Sequence, residues 1–386
     1  MKKLIIIGAN NFQVPLILQA REMGIETHVF AWEDGALGKK FSNYFYPISI
    51  VEKEEILKIA QLIKPKGVVS IASDLASITV NYLANSLGLI GNSMRCTEIT
   101  TDKYRMRSIL SKNGLPCPRF CLLDDNRKTL CEGLTYPLIV KPTDRSGSRG
   151  VTKVVNKNVL EQAVQRAFSE SFAKRVIVEE FIEGKEYSIE MISWQGEHHF
   201  IQTTEKETSG APYFVEKAQH QPANLEKIKV YEIIDLIKKS LTALGVEYGA
   251  SHSEIIITPD DKVFITEIGA RMGGDYIGSD LVELSTGFDF VKSVINISMG
   301  IKPDIKILKN DFSGVCYMLP SAGKLIKLVD NSAAYSEIIR SEVYYSLGET
   351  IPKIEESNQR AACFLYYSKL GRFNSSPIEL YTEPDK

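Results

Sequence analysis

Three short apolar runs, LIIIGAN at 4–10, THVFAW at 27–32 and GVVSI at 67–71, are separated by segments of helical period. The stretches Val14–Met23 and Glu54–Ile63 carry the apolar repeat of amphipathic helices, and a third helix is expected to reach Leu87. Strands this short and this uniformly apolar are buried on both faces, and strands joined through helices run parallel. Residues 1–95 are therefore expected to form a doubly wound parallel-sheet domain. The 386 residues exceed one ordinary core, so further domains should follow. The start, MKKLIIIGANN, places lysines before apolar residues as a signal peptide does, but the run stops at Ile7 and Gly8 suits a strand-to-loop turn. No stretch is long and apolar enough to span a bilayer. A net charge of −2 gives no electrostatic reason to expect nucleic acid or an acidic membrane surface. Cys96, Cys117, Cys121, Cys131, Cys316 and Cys363 form no C-x-x-C pair and no zinc spacing, so reduced thiols in a cytoplasmic protein are expected.

A dinucleotide-binding domain would need G-x-G-x-x-G after its first strand. Gly8-Ala9-Asn10-Asn11-Phe12-Gln13 has a single glycine, and Asp34 as a ribose-binding acid stands alone in a loop. Further on, a helix is expected from Thr101 to Asn113, stopped by Gly114. Short strands RFCLL, PLIVK, TKVV and RVIVEEF with one helix, Val159–Phe172, suggest a small α+β module over 119–182. EYSIEMISW, a Gln195-Gly196 turn and HHFIQTT suggest an antiparallel hairpin. A long helix, Leu225–Leu244, precedes a second hairpin over 248–268, and another helix runs from Ser279, interrupted at Gly287, to Met299.

The sequence VKPTDRSGSRGV, 140–151, places Lys141 at a strand end beside a loop of small residues. No Walker A motif occurs, but Ser146-Gly147-Ser148-Arg149-Gly150 can turn several backbone N–H groups toward one anion and can move as a lid. By itself the loop reads as readily as a hairpin turn with one solvated lysine. The second hairpin adds weight. If Pro259–Lys262 forms its loop, Thr258 pairs with Val263 and Glu254 falls opposite Glu267. Opposed side chains share one face with Cβ atoms about 4.5–5.5 Å apart, so the two carboxylates would repel unless a cation lies between them. Mg2+ takes carboxylate oxygens and keeps waters or phosphates as other ligands. Arg271 adds a fixed positive charge at that end. Between these segments, RVIVEEFIEGKEYS at 175–188 offers strand-edge backbone groups, an apolar wall and Glu186.

Taken in order, TTDKYRMRSIL, VKPTDRSGSRGV, VEEFIEGKEYS, the Glu254/Glu267 pair and Arg271 resemble the ATP-grasp superfamily, specifically its carboxylate–amine ligases. The resemblance covers about residues 1–300. It implies an ATP-grasp fold of mixed α/β and α+β class: a Rossmann-like domain over 1–95, an ATP-grasp domain over 96–300 with a lid at about 119–182, and an α+β cap over 301–386. It also implies that Lys103 and Lys141 contact ATP phosphates under the lid residues Ser146, Gly147 and Ser148. The backbone of Glu180 and Ile182 would read adenine with Glu179 beside it, and Glu186 would bind ribose. Glu254 and Glu267 would hold Mg2+, with Mn2+ as an alternative, and Arg271 would act with Lys141 in catalysis. Many family members carry an Asn where this chain has Gly269, which puts the second metal's ligands in doubt.

TTEKETSGAPYFVEKAQHQPA at 203–223, GASHSEI at 249–255 and GARMGGDYIG at 269–278 look most like the bacterial L-amino acid ligase branch. That resemblance points to small-molecule carboxylate and amine substrates. A Gly- and Pro-bearing loop with Phe214, Glu216 and His220 would close on the acceptor, and Glu216 would read its amine. His252 shares a strand face with Glu254, and Gly273-Gly274 would let backbone approach the substrate. Homodimers are common in such families. The chain lacks the N-x-R-x-Q-V-E-H stretch of biotin carboxylases. The rivals are a glycinamide-ribonucleotide synthetase-like ligase, an oxidoreductase using the first domain, and an ATP-binding regulator without turnover.

Overall fold

A computed structural model describes residues 2–123 and 133–384. The strands Lys3–Ile7, Glu26–Phe30 and Gly67–Val69 pair in parallel, as the apolar runs predict, and Tyr44–Tyr46 joins at the edge. Leu4, Ile5, Ile6 and Ile7 are fully buried, alternately facing two separate apolar clusters. Helix Asp74–Leu87 starts at Ser73, whose side chain accepts the Ala76 N–H, and stops at left-handed Gly88. Asp74 therefore stands at the first turn, facing out of the parallel sheet toward the rest of the chain. The helix expected over 101–113 is Lys103–Lys112, and a separate short helix, Met94–Thr100, precedes it; Asp102 caps the longer one by accepting the Arg105 N–H.

The small module is a four-stranded antiparallel sheet of Phe120–Leu123, Val176–Glu180, Leu138–Pro142 and Thr152–Val154, covered by helix Leu160–Glu170. Beneath it lies an eight-stranded antiparallel sheet. Its strands Lys185–Trp194 and Glu197–Thr208 form the first expected hairpin, and Gly249–Ile257 and Val263–Gly269 the second. One face of this sheet is apolar: Tyr187, Ile189 and Met191 pack on Ile233, Ile237 and Leu241 of helix Lys227–Leu244. The other face carries Glu186, Ser188 and Glu190 on the same strand, by simple alternation. Residues expected to form a loop over 203–223 are mostly strand, and Glu216–Gln221 adds to the sheet beside Glu197–Thr208. Beyond residue 300, Phe312–Met318, Ala362–Ser368 and Ile338–Val343 continue the same sheet.

The hairpin turn differs by one residue from the expected register. Ile257, not Thr258, pairs with Val263, and a bulge between Glu254 and Ile255 on one side and Ile265 and Glu267 on the other absorbs the shift. Glu254 still faces Glu267, but through the extra residue Thr266 rather than through the turn. Cys96, Cys117, Cys316 and Cys363 are free thiols, whereas Cys121 is disulfide-bonded, a departure from the all-reduced expectation. Cys131 lies outside the described residues. Among the described residues no helix is long and apolar enough to cross a membrane.

Candidate active site

Lysines and carboxylates from four segments converge between the small module and the polar face of the large sheet. Lys141 ends its strand with Nζ 2.6 Å from Glu179 Oε2, and the fully buried Arg107 places Nε 2.6 Å from Glu179 Oε1. Burial alone would push the Glu179 carboxyl up, but Arg107 and Lys141 pull it below the usual carboxylate range. Glu179 thus holds Lys141 and Arg107 through its two carboxylate oxygens, on the strand face that it shares with Ile139 and Lys141. Arg107 also donates Nη2 to the Thr266 carbonyl, at the residue that the bulge displaces. Its spacing of four from Lys103 puts both cations on one helix face, a signal present in KYRMR.

Lys103 Nζ lies 3.1 Å from Glu267 Oε2 and donates to the Arg145 carbonyl at 2.7 Å, at the foot of the 146–150 loop. Burial disfavours its charge, and Glu267 and Asp74 more than compensate, so its pKa is raised. In that loop Gly147, Ser148 and Gly150 are left-handed. A Cβ at Gly150 would meet Pro142 at 3.0 Å, so the turn also requires glycine for space. Ser148 Oγ donates to the Phe214 carbonyl at 3.0 Å, and the Ser357 N–H donates to the Gly147 carbonyl at 3.3 Å. The Glu180 N–H donates to the Arg119 carbonyl, and its carboxylate accepts from Arg119 and the Thr135 N–H. Ile182 follows the strand end, half-buried.

Glu254 and Glu267 do share a face, and each takes a lysine: Lys206 Nζ bonds Glu254 as Lys103 bonds Glu267. His252 Nδ1 lies 2.6 Å from Glu190 Oε1 and its Nε2 lies 3.2 Å from Glu254 Oε1. Burial lowers the imidazole's pKa, but Glu190 and Glu254 raise it further, to about 9. The same contacts, with Lys206 foremost, hold Glu254 well below the carboxylate range against its burial. Glu186 has no such cation within bonding reach. Burial raises its pKa, Lys206 lowers it, and Glu254 and Glu216 raise it again, so the net shift is upward. Among the described residues no cluster of three or more metal-ligating side chains is present. The pair fits Mg2+ in the manner typical of phosphate-bound Mg2+, with one or two carboxylates and the remaining ligands from phosphate and water. Both carboxylates already bind an exchangeable cation on this face, which supports that fit.

Arg271 forks onto Asp74 at 2.8 and 3.0 Å, joining this face to the first helix turn of the N-terminal sheet domain. Burial opposes the guanidinium charge, and Asp74 raises its pKa beyond that. A Cβ at Gly269 would sit 3.1–3.2 Å from the Arg271 guanidinium and Asp74 Oδ1. The position that carries Asn in many family members is therefore filled here by the arginine fork. Gly273 is equally constrained, since a Cβ would lie 2.9 Å from His252 Nδ1 and 3.1 Å from Glu190 Oε2. Gly274 stands against Ala72.

The structure separates Glu216 from His220. A bulge at Lys217 pairs Glu216 with Thr208 and Gln219 with Lys206, so Glu216 and Gln219 face the site. His220 is turned to the reverse face, where its Nδ1 lies 2.9 Å from Tyr366 Oη and its Nε2 3.4 Å from Glu207. Its expected place in a substrate pocket is therefore corrected. Sequence reasoning also missed Asp74, Arg107, Glu190, Lys206, Gln219 and the Asp275–Arg360 pair. The period-two stripe Glu186/Ser188/Glu190 was a readable signal; the others come together only through the tertiary fold.

A family model for the ATP-grasp domain matches residues 134–280. That stretch of the chain matches an ATP-grasp domain. D-alanine–D-alanine ligase B of Pseudomonas putida is 27% identical over 218 residues, 54% of this chain and 66% of that enzyme. The formate-dependent phosphoribosylglycinamide formyltransferase of Corynebacterium efficiens is 24% identical over 82% of this chain and 80% of its own length. The crystal structure of an L-amino acid ligase from Bacillus licheniformis superposes over 99% of both chains with TM-score 0.82 and 23% identity, a likeness of fold. These findings support an ATP-grasp carboxylate–amine ligase.

Proposed function

We propose that the protein activates a carboxylate with ATP as an acyl phosphate and joins it to an amine, with amino-acid-type substrates, releasing ADP and phosphate. The observation that carries this reading is the opposition of Glu254 and Glu267 beneath Lys103 and Lys141, with Arg271 at the end of the same face. Lys141, fixed by Glu179, and Lys103, fixed by Glu267, would neutralise ATP phosphates, and the 146–150 loop would cover them. The Glu180 carbonyl and Ile182 N–H would read the adenine edge, since the Glu180 N–H is already engaged. Glu186 would accept from ribose. Glu254 and Glu267 would hold Mg2+ or Mn2+, which when bound would neutralise and clamp the triphosphate. Arg271 gives Nε and Nη2 to Asp74 and one Nη1 N–H to the Met272 carbonyl at 3.3 Å, so its second Nη1 N–H would face the charge that develops on the substrate's oxygens. Gly273 and Gly274 would admit the substrate against backbone, and the closed lid would exclude water.

A phosphorylated amine such as a ribonucleotide would need basic groups for its own phosphate besides Lys103 and Lys141, which this reading gives to ATP; Arg107, Lys206 and Arg271 are each paired with a carboxylate. An uncharged tail on the amine fits better. The test is phosphate release with Mg-ATP and paired amino acids. Stimulated release of ADP and phosphate is expected, and AMP with pyrophosphate would overturn the acyl-phosphate route. Glu267→Ala and Arg271→Ala should each lower turnover by at least about 100-fold; near-wild-type rates in both would mean the site lies elsewhere.

A further inference from the structure

Most of the chain beyond residue 300 extends the large sheet away from the site, but one of its turns comes back to the 146–150 loop. The short helix Ser357–Gln359 follows Glu356, whose backbone is extended and whose side chain forms a capping box with Gln359. Arg360 then forks onto Asp275 at 2.7 and 2.8 Å, anchoring the turn beside Gly273-Gly274. From this fixed base the Ser357 N–H donates to the Gly147 carbonyl at 3.3 Å, and the Ser357 hydroxyl donates to Glu216. Two residues earlier, Glu355 lies 3.3 Å from Arg166 Nη2, on the helix that covers the small module. Arg166 and Lys353 both lie over the Tyr213 ring, at 4.5 and 5.0 Å from its centre. The neighbours of Tyr213 hold the same module, because the Pro212 carbonyl accepts the Lys153 N–H and the Phe214 carbonyl accepts the Ser148 hydroxyl.

A trans peptide points its C=O and its N–H in opposite directions. Holding the Gly147 carbonyl therefore turns the Ser148 N–H to the side away from Ser357. The N–H groups of Gly147, Ser148, Arg149 and Gly150 have no protein acceptor among the described residues. Successive free N–H groups in left-handed turns form a concavity for an anion. The turn thus grips the loop by a carbonyl and the helix by a guanidinium, and leaves these donors for a ligand. Each grip is modest. One backbone hydrogen bond shifts an equilibrium about fivefold, and a half-exposed ion pair about threefold.

We propose that the segment 353–360 is a latch for the lid, with Ser357 and Glu355 as positioning residues that hold the 146–150 loop over the phosphates. The inference rests on the ligase reading and gives the C-terminal segment a part in it. With the latch broken, water reaches the acyl phosphate. Water's oxygen attacks the acyl carbon and the C–O bond to phosphate breaks. Carboxylate and phosphate leave, one proton goes to solvent, and no amide forms.

Ser357→Pro removes the N–H, and proline suits the first residue of a helix that follows an extended one. Ser357→Ala removes the hydroxyl alone. Mg-ATP affinity is measured by equilibrium titration, and the ratio of phosphate to amide with the amino-acid pair that stimulates the wild type most. In Ser357→Pro the Kd for Mg-ATP should rise about fivefold, and phosphate should exceed amide by more than in the wild type. Ser357→Ala should keep the Kd within about twofold. Arg166→Glu should raise it about threefold, and Arg166→Glu combined with Glu355→Arg should restore it. Unchanged Kd and ratio in Ser357→Pro, with wild-type circular dichroism, overturn the latch and leave the ligase reading intact. Equal losses in Ser357→Ala and Ser357→Pro also overturn it, because the effect then passes through Glu216. If Ser357→Pro does not fold, the charge swap decides, and no recovery in the swap overturns the latch. If no amino-acid pair stimulates phosphate release, the ligase reading falls while the Mg-ATP titrations still decide the latch. A wild type that binds no Mg-ATP removes both.

Discussion

The cluster read as the nucleotide end and the 216–219 segment of the same face are built on opposite principles. In the first, three carboxylates are paired with cations: Glu179 holds Lys141 and Arg107, Glu267 holds Lys103, and Glu254 holds Lys206 and His252. In the second, Glu216 accepts a hydroxyl, and Gln219 leaves its oxygen unmatched among the described residues. A buried charge without a partner is costly, so the pairing satisfies the charges of the first region within the protein, and a bound metal or phosphate would have to exchange with those partners. The second region leaves a buried amide oxygen without a partner among the described residues.

Breaking the saturated end should have the largest effect. Arg107→Met removes one of two cations from the buried Glu179 and uncaps the Thr266 carbonyl, and a loss of about 3–5 kcal/mol is expected in denaturant unfolding. The pH dependence has a definite sign. The Glu179 carboxyl titrates below its ordinary value of 4.5, so its pairing contributes stability above that range and loses it as pH falls through the depressed value. Acid unfolding of Arg107→Met should therefore begin at higher pH than that of the wild type. An unchanged acid midpoint would mean that Glu179 does not depend on Arg107.

Gly269→Asn tests the junction between the two ends. The new side chain would crowd the Arg271–Asp74 fork rather than add a metal ligand, so turnover should fall about 10-fold or more with no gain in Mg2+ affinity. Tighter Mg2+ dependence with normal turnover would show that the fork can yield. The smallest effect is expected at Glu186, the carboxylate whose pKa is raised by burial and by Glu254 and Glu216, against Lys206. Glu186→Gln should stabilise the free protein at pH 7 by up to about 1 kcal/mol, the scale of like-charge repulsion across a sheet. Its raised value means that the ionised form is disfavoured in the fold. The gap between variant and wild type should accordingly close as the pH falls from the raised value toward its ordinary value of 4.5. A variant that melts below the wild type at pH 7 would contradict the repulsion.

The convergence of Lys103, Lys141, Glu254 and Glu267 on one face was legible in the sequence because these residues come from strand ends and turns with local signals. Lys141 stands beside small residues, Glu254 and Glu267 flank one hairpin, and Lys103 begins a helix after a capping Asp. The parallel sheet was legible from its apolar runs. The substrate end was not, for two reasons. Asp74, Asp275 and Arg360 meet their partners across about 85 to 197 positions of chain, and no periodicity encodes such pairings. Residue 220 was also misplaced, because its segment reads as a loop; it is a strand, and the extra residue at 217 turns His220 to the reverse face from Glu216. The Glu254/Glu267 register was right only because the displacement at the turn and the extra Thr266 cancel.

The extra residue at 217 also bears on how relatives are compared with this chain. Aligning 216–221 without a gap gives His220 the face that an even spacing from Glu216 expects, whereas that face, shared with Lys206, belongs to Gln219. Any transfer of substrate preference between this protein and a relative therefore depends on whether that relative has the same one-residue insertion. Two chains with matching letters at 220 can present different chemistry to the same ligand.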